Sequence, residues 1–433
     1  MALDLSGFYQ KSKNLKDSQK VTEEQLIRKE VIDEKVALVK EYIYRKHGVL
    51  KILSLTDQDK RKELEEVVTS KVQDYEELTP EEKKQVIQNT VGFGVIEDIL
   101  DQDESVTDIR YNGSQVVVET PTKKYLYGKP VTDQEIESLI TRFANAGNAQ
   151  FNNGNPILDV QIGNIRLNAV HSSNAPYGTT MALRINKFKQ IYTKDYFPIA
   201  PDSIRKMLHG FVSSHLSVFI VGETGSSKTE LQKYIIEPIP FDEAIFLIEE
   251  IPETHLKELY PDKDIASVAE QGGKATISDL LKASKRNNST WVLLTEVRSH
   301  EAYQLIEILK SDHKVVATFH ARSVEALPYV LTGMIAEHYP INEESYVQQV
   351  YENLDIGIQL SKRKIDGVTI RYIKEICEYT SEGVRMIFTQ RLNHEGKLIP
   401  KYYPLSTSLI ETLEDYGQEN AVSDFNMEAD KMQ

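Results

Sequence analysis

The sequence predicts an α/β protein: a sheet domain built around a phosphate-binding loop, preceded by an α+β domain and an N-terminal helical region. Three observations predict it. Four short apolar runs, "SVFIVG", "AIFLIEE", "TWVLLTE" and "KVVATFHA", alternate with helical stretches between residues 201 and 364, as strands buried on both faces of a parallel sheet do. The first run leads directly into "GETGSSKT" and a helical stretch. The second and third end in carboxylates, at the strand ends where ligands collect in α/β sheets.

In chain order, residues 1–20 are polar and are expected to be mobile. Thr22-Glu23-Glu24-Gln25 has the form of a capping box, and Leu26, Ile27, Val31, Val36, Val39 and Ile43 follow at helical spacing, with Gly48 as the expected stop. A second charged helix is expected over residues 57–75. A third begins at Thr79-Pro80-Glu81-Glu82, which places a cap, a first-turn proline and an early acid in order. Residues 1–90 therefore read as a helical region. From residue 91 to 190 the pattern turns α+β: "SVTDIRYNGSQVVVET", "KKYLYGKP", "LDVQIGNIRLNAVHS" and "GTTMALRINKF" read as strands and "VTDQEIESLITRFANAGN" as a helix. Residues 191–200 read as a linker, and 201–410 as the sheet domain with closing hairpins that turn at Glu382-Gly383 and His394-Glu395-Gly396. From residue 411 on there are seven acids and one lysine, which predicts a flexible tail.

Composition narrows the function. A chain of 433 residues is long enough for two or three domains. Its net charge of -15 argues against a surface that is a nucleic-acid trap throughout. No apolar run approaches the roughly 20 residues of a membrane span, no signal-peptide pattern opens the chain, and the single cysteine, Cys377, can build neither an intrachain disulfide nor a cysteine zinc site. The expectation is a cytosolic protein.

The loop Gly222, Glu223, Thr224, Gly225, Ser226, Ser227, Lys228 and Thr229 stands between a predicted strand and a predicted helix, the context a phosphate loop requires. Its backbone amides can wrap a phosphate at a helix N-terminus. Lys228 would reach the β- and γ-phosphates of ATP, and the Thr229 hydroxyl would bind Mg²⁺. Glu249, Glu250 and Glu253 crowd the end of the next strand, and Glu296 with Arg298 ends another; such groups suit holding Mg²⁺ and orienting a water. His313 and His320 bracket the last strand. A histidine at a strand end is commonly structural, whereas two beside this site also suit phosphate sensing, and the residues leave both readings open.

In order, the phosphate loop, "IEEIPE", "LLTEVRSHEA" and "SDHKVVATFHARS" resemble the secretion ATPase superfamily, which includes type IV pilus, Tad pilus and type II secretion motors and the VirB-type conjugation ATPases. "GFGVIEDILDQDESVTDIRYNG" resembles that family's N-terminal segment, and "NIRLNAVHS" and "TMALRINKF" resemble strands carrying its interdomain arginines, here Arg166 and Arg184. The Tad-like and VirB-like branch fits best, since the other motors usually carry a four-cysteine zinc module.

The resemblance implies a RecA-like domain and a homo-hexameric ATP-hydrolysing motor working with inner-membrane secretion or pilus platform proteins. It further implies Glu253 as the group polarising the attacking water, Glu296 as a support for Mg²⁺ or its waters, Arg166 and Arg184 as phosphate-neutralising groups from another domain or subunit, and His320 as a γ-phosphate sensor. No sequence-specific nucleic-acid binding is expected. Departures are Ser227 for the loop's last glycine, Glu250 for Asp, Thr295 for Gly, Asp312 for Gly and Arg322 for Asn. Ser227 is the serious one, because its Cβ is expected to crowd the approach to phosphate and slow hydrolysis. Two other classes remain: a nucleotide-gated scaffold with little hydrolysis, and a RecA-like DNA translocase.

Overall fold

The computed structural model describes residues 23–91, 95–186, 190–270, 274–311 and 313–431. The expectations for residues 1–20, for the Thr22 cap and for Asp312 lie outside them. The chain divides into two compact units, one ending at Asn186 and one beginning at Lys187.

The first unit opens with helices α1 (Glu23–Leu53), α2 (Gln58–Gln73) and α3 (Pro80–Val91). Helix α1 bends at His47, whose backbone leaves helical geometry (φ -134°, ψ 28°), and continues through Gly48 where a stop was expected. The Asp57 carboxylate caps α2 by accepting from the amides of Asp59 and Lys60, and Thr79 and Glu82 cap α3 reciprocally. Val39, Ile43, Leu64, Val68 and Val86 form the core between these helices.

There follow α4 (Val95–Gln102), β1 (Asp108–Tyr111), β2 (Val116–Glu119), β3 (Lys124–Leu126), α5 (Asp133–Ala146), β4 (Ile157–Ile162), β5 (Ile165–Val170) and β6 (Thr180–Ile185). The six strands form one sheet in the order β3-β2-β1-β6-β5-β4, antiparallel at every pairing. Period-2 alternation sends Ile109, Leu167 and Leu183 into a core with Phe143 of α5. On the other face the register lines up Glu119, Asp108, Arg184, Arg166 and Gln161 in one cross-strand row.

The second unit begins with α6 (Asp202–Ser213), β7 (Val218–Gly222), α7 (Lys228–Ile235), β8 (Ile245–Glu249), α8 (Leu256–Leu259), β9 (Ile265–Ala269), α9 (Ile277–Ser284) and β10 (Trp291–Val297). It continues with α10 (Glu301–Leu309), β11 (Lys314–Phe319), α11 (Leu327–Ala336), α12 (Glu343–Asn353) and β12 (Ile356–Ile365). It closes with β13 (Val368–Thr380), β14 (Gly383–Leu392), β15 (Leu398–Tyr402), α13 (Thr407–Asp415) and α14 (Glu419–Lys431). Nine strands make one sheet, β15-β14-β13-β12-β7-β11-β10-β8-β9. Strands β12 through β9 in that order run parallel, and β13 to β15 extend the sheet as antiparallel hairpins.

Strand β7 is thus central, and the loop after it emerges among the C-terminal ends of its neighbours, the position predicted by its all-buried sequence. Strands β9 and β12 were not foreseen from the sequence.

Two expectations are corrected here. Residues 191–200 are not a free linker, because Tyr192 and Ile199 are 3% and 1% exposed within the second unit's core. The acidic end is not loose either: α13 and α14 place Leu409, Leu413, Val422 and Phe425 in that same core. Apolar residues at helical spacing outweigh the charge on the opposite face.

Candidate functional site

The loop's shape follows from its glycines. A Cβ at Gly222 would lie 2.5 Å from the Leu360 carbonyl oxygen, so β7 and β12 can approach only with glycine there. Gly225 takes a left-handed conformation (φ 76°) that suits glycine. Ser227 does the same (φ 74°, ψ 34°) immediately before α7. The missing glycine therefore matters for a second reason beside the crowding expected of the Cβ: an L-residue in this backbone region costs roughly 1–2 kcal/mol. Burial pushes the Tyr192 phenol up to about 12, and the Ser227 side chain acts on it in the opposite direction.

Ser226 Oγ is buried and has no hydrogen-bond partner among the described residues. Lys228 folds back, donating to the carbonyls of Gly222 (2.9 Å) and Glu223 (3.3 Å). Burial lowers its pKa, and Glu296 and Glu223 act in the opposite direction. A buried cation resting on loop carbonyls and an unsatisfied buried hydroxyl are both groups that an incoming phosphate would satisfy. Thr229 lies one residue into α7, and Glu223 and Thr224 are exposed on the loop.

The carboxylates separate into two roles. Glu249 is 1% exposed, and its Oε1 accepts from the amides of Glu253 and Thr254, both at 3.0 Å. Burial raises its pKa and those amides oppose the rise. Among the three carboxylates expected to hold Mg²⁺ or orient a water, Glu249 is the one turned inward, and it shapes the loop that presents Glu253. Glu250 and Glu296 instead share Arg298, which lies 2.6 Å from Glu250 Oε2 and donates to Glu296 Oε2 at 2.8 Å. His320 Nε2 meets the other oxygen of Glu296 at 2.9 Å. Burial disfavours ionised Glu296, but Arg298, His320 and Lys228 together outweigh it and hold the pKa below the usual value. The C-terminal ends of β7, β8, β10 and β11 thus bring Lys228, Glu250, Glu296, Arg298 and His320 to one end of the parallel sheet.

His313 does not join them. It precedes β11, with Nδ1 3.1 Å from Ser311 Oγ, and the six residues of β11 put it ~20 Å from His320 along the strand. Within this unit it takes the structural reading that the sequence had left open. Arg166 and Arg184 lie in the first unit as direct partners across β5 and β6. Arg166 pairs with Asp159 at 2.8 Å and Arg184 with Asp108 at 2.9 Å.

Two residues at the loop escaped the sequence reading. Lys362 Nζ donates to the Thr224 carbonyl at 2.6 Å, and Arg371 Nε donates to the Gly225 carbonyl at 2.9 Å. They follow the loop by more than 130 residues and match no motif. The one local signal is Asp366-Gly367, where both φ values are positive. That is a two-residue hairpin turn, and it would have paired the strands that carry them.

Comparison with known proteins agrees with this architecture. An uncharacterized protein of Bacillus anthracis is 33% identical over 368 residues, covering 80% of this chain and 82% of that protein. The type IV secretion system protein VirB11 of Brucella suis biovar 1 is 30% identical over 170 residues, 37% of this chain and 46% of its own length. Among solved structures, the ATPase DotB of Legionella pneumophila superposes with a TM-score of 0.54 at 16% identity over 66% of this chain and 81% of its own. That likeness shows the fold, a RecA-like P-loop domain preceded by an α+β domain and a helical region. Residues 152–398 match the family described as Type II/IV secretion system protein. Covered by that match over more than half its length, the chain belongs to the type II/IV secretion system protein family.

Proposed function

We propose that the protein is an ATP-hydrolysing motor that energises a type IV secretion, conjugation or Tad-pilus-like machine. The observation that carries this is the convergence of Lys228 with the Glu296–Arg298–His320 network at one end of the parallel sheet. Loop amides and Lys228 bind the β- and γ-phosphates of ATP, Glu253 on its Glu249-anchored loop orients the attacking water, and His320 reads the γ-phosphate through Glu296. Thr229 and Glu296 fit Mg²⁺, partly through water, and the ion when bound neutralises phosphate charge.

The chain works as a homo-hexamer at the cytoplasmic face of a membrane, held there by inner-membrane platform proteins; no described helix is long and apolar enough to cross a membrane. Arg166 and Arg184 neutralise phosphate charge from a neighbouring subunit. Each already has an acid at hydrogen-bond distance, which it exchanges for phosphate. The scaffold reading keeps one supporting observation, the left-handed Ser227.

Mg-ATP turnover of the wild type, Lys228→Ala, Arg184→Ala and an equimolar mixture of the two variants tests this. The wild type should turn over, each variant should lose most activity, and the mixture should recover part of it. A wild type without turnover removes the motor reading. Turnover without recovery in demonstrably mixed assemblies removes only the neighbouring-subunit arginine.

A further inference from the structure

Strand β12 pairs with β7 up to Leu360 opposite Gly222 and then runs on past the phosphate loop. Two residues further along stands Lys362, which the register of β12 and β13 places directly opposite Arg371. Like charges at directly opposed positions destabilise a hairpin, so this pair needs a compensating contact. Both cations find one on the same short segment: Lys362 on the carbonyl of Thr224 and Arg371 on that of Gly225. A Cβ added to Gly225 would stand only 3.2 Å from Lys362 Nζ, so the lysine lies close against the loop. Two residues on, Ser227 holds its left-handed backbone without the glycine that would make it easy.

A loop that binds phosphate through its amides must turn its carbonyls the other way. Carbonyls held by two cations on the outside leave the neighbouring amides aimed inward before any ligand arrives. The two cations also add positive charge behind the cradle, and Lys362 is among the groups that push the Lys228 pKa down, after burial.

We propose that Lys362 and Arg371 are positioning residues of the phosphate loop, a brace from the β12–β13 hairpin that fixes the Thr224 and Gly225 carbonyls outward and so preorganises the loop for the phosphates of a nucleotide. This rests on the ATP-binding reading of the loop. The brace acts on the ligand-free loop, so it sets affinity rather than the chemical step, and it serves nucleoside di- and triphosphates alike. A group reading the γ-phosphate would separate the two.

The test is calorimetric binding of ADP and of Mg-ATP, with steady-state turnover, for the wild type, Lys362→Met, Arg371→Met, the double variant and Lys362→Arg, alongside Lys228→Ala. Methionine keeps a long apolar stem and removes donor and charge. Each single Met variant should bind both nucleotides roughly tenfold more weakly, as expected for loss of one charge-assisted bond. KM for ATP should rise with kcat within about twofold, and Lys362→Arg should restore affinity. Melting temperatures of the single variants should stay near wild type, since both contacts are solvent-exposed; if the double variant does not fold, the singles carry the test. Wild-type affinity in both Met variants overturns the brace. So does a fall in kcat with affinity unchanged, or a loss confined to ATP. A wild type that binds no nucleotide overturns the ATP reading and the brace together; a wild type that binds while Lys228→Ala does not upholds the first whatever the Met variants show.

Discussion

The two ends of the parallel sheet in the second unit are built from the same residue types and use them in opposite ways. At the N-terminal end, polar groups settle against one another. The Ser217 amide donates to Asp355 at 2.8 Å and its hydroxyl accepts from the Val315 amide at 3.1 Å. Trp291 Nε1 donates to Glu243 at 2.7 Å, and His215 meets the other oxygen of that carboxylate at 3.0 Å. At the C-terminal end, charged side chains gather: Arg298 between two glutamates, His320 on Glu296, Lys228 on loop carbonyls. Backbone amides cannot leave their partners, whereas side-chain ion pairs half open to water can exchange them for a ligand. The first arrangement stores stability and the second stores the ability to bind.

The largest expected effect breaks that contrast directly. Glu296→Gln and Glu253→Gln should stay folded and bind ATP while turnover falls roughly 10²- to 10⁴-fold, the usual loss for a catalytic acid or base. At the other end, Asp355→Ala should lower unfolding free energy by roughly 1–3 kcal/mol, because it orphans a buried amide, and leave turnover per folded molecule unchanged. Single-turnover rates beside urea unfolding separate the two. Equal loss of stability from both ends would remove the distinction.

A smaller effect is set by pH at the far end of the phosphate-loop helix. His209 on α6 packs on Tyr234 of α7 with ring centroids 4.5 Å apart. Burial, with Arg205 nearby, lowers its pKa from 6.5 to about 4, and Glu237 lies too far, at 3.9 Å, for a hydrogen bond. As pH falls below 6.5 the unfolded chain takes up a proton that the folded chain refuses until about pH 4. Stability is therefore lost over that window, by up to about 3 kcal/mol, and is fully present above it. His209→Gln should flatten the urea midpoint between pH 7 and 4.5 relative to wild type. Parallel pH profiles for the two proteins would show that His209 titrates normally.

This contrast also marks what could be read from the sequence. Four of the parallel strands and the loop were legible because each strand is a continuous apolar run, and a parallel sheet demands that locally. Strand β9, "IASVA", has too little apolar bulk to declare itself, and β12 ends in "SKRKI", which reads as surface. Glu249, Glu250 and Glu253 are equivalent as letters, and only the fold of the loop turns Glu249 inward onto two amides. His313 and His320 likewise differ only by which end of a strand they occupy. Lys362 and Arg371 reach the loop through sheet order, which no local pattern carries.

The smallest effect lies at Ser227. Ser227→Gly relieves the roughly 1–2 kcal/mol of left-handed strain. It also gives the unfolded chain more freedom, worth ~0.5–1 kcal/mol, and removes the hydroxyl that acts on Tyr192, a polar contact worth ~1 kcal/mol. These nearly cancel, so the glycine variant alone should unfold within about 0.5 kcal/mol of wild type. The cancellation is what a double-mutant cycle can open. In a Tyr192→Phe background that contact is already gone, so Ser227→Gly should there stabilise by roughly 0.5–1 kcal/mol. Ser227→Ala, which keeps the strain and loses the hydroxyl, should destabilise the wild type by ~1 kcal/mol. The coupling between positions 192 and 227 would then account for how a serine holds a glycine's conformation: Tyr192, buried in the core that follows the unit boundary, anchors it. An identical effect of Ser227→Gly in both backgrounds would show that the two hydroxyls are not coupled, and would leave the strain at Ser227 to be carried by the loop alone.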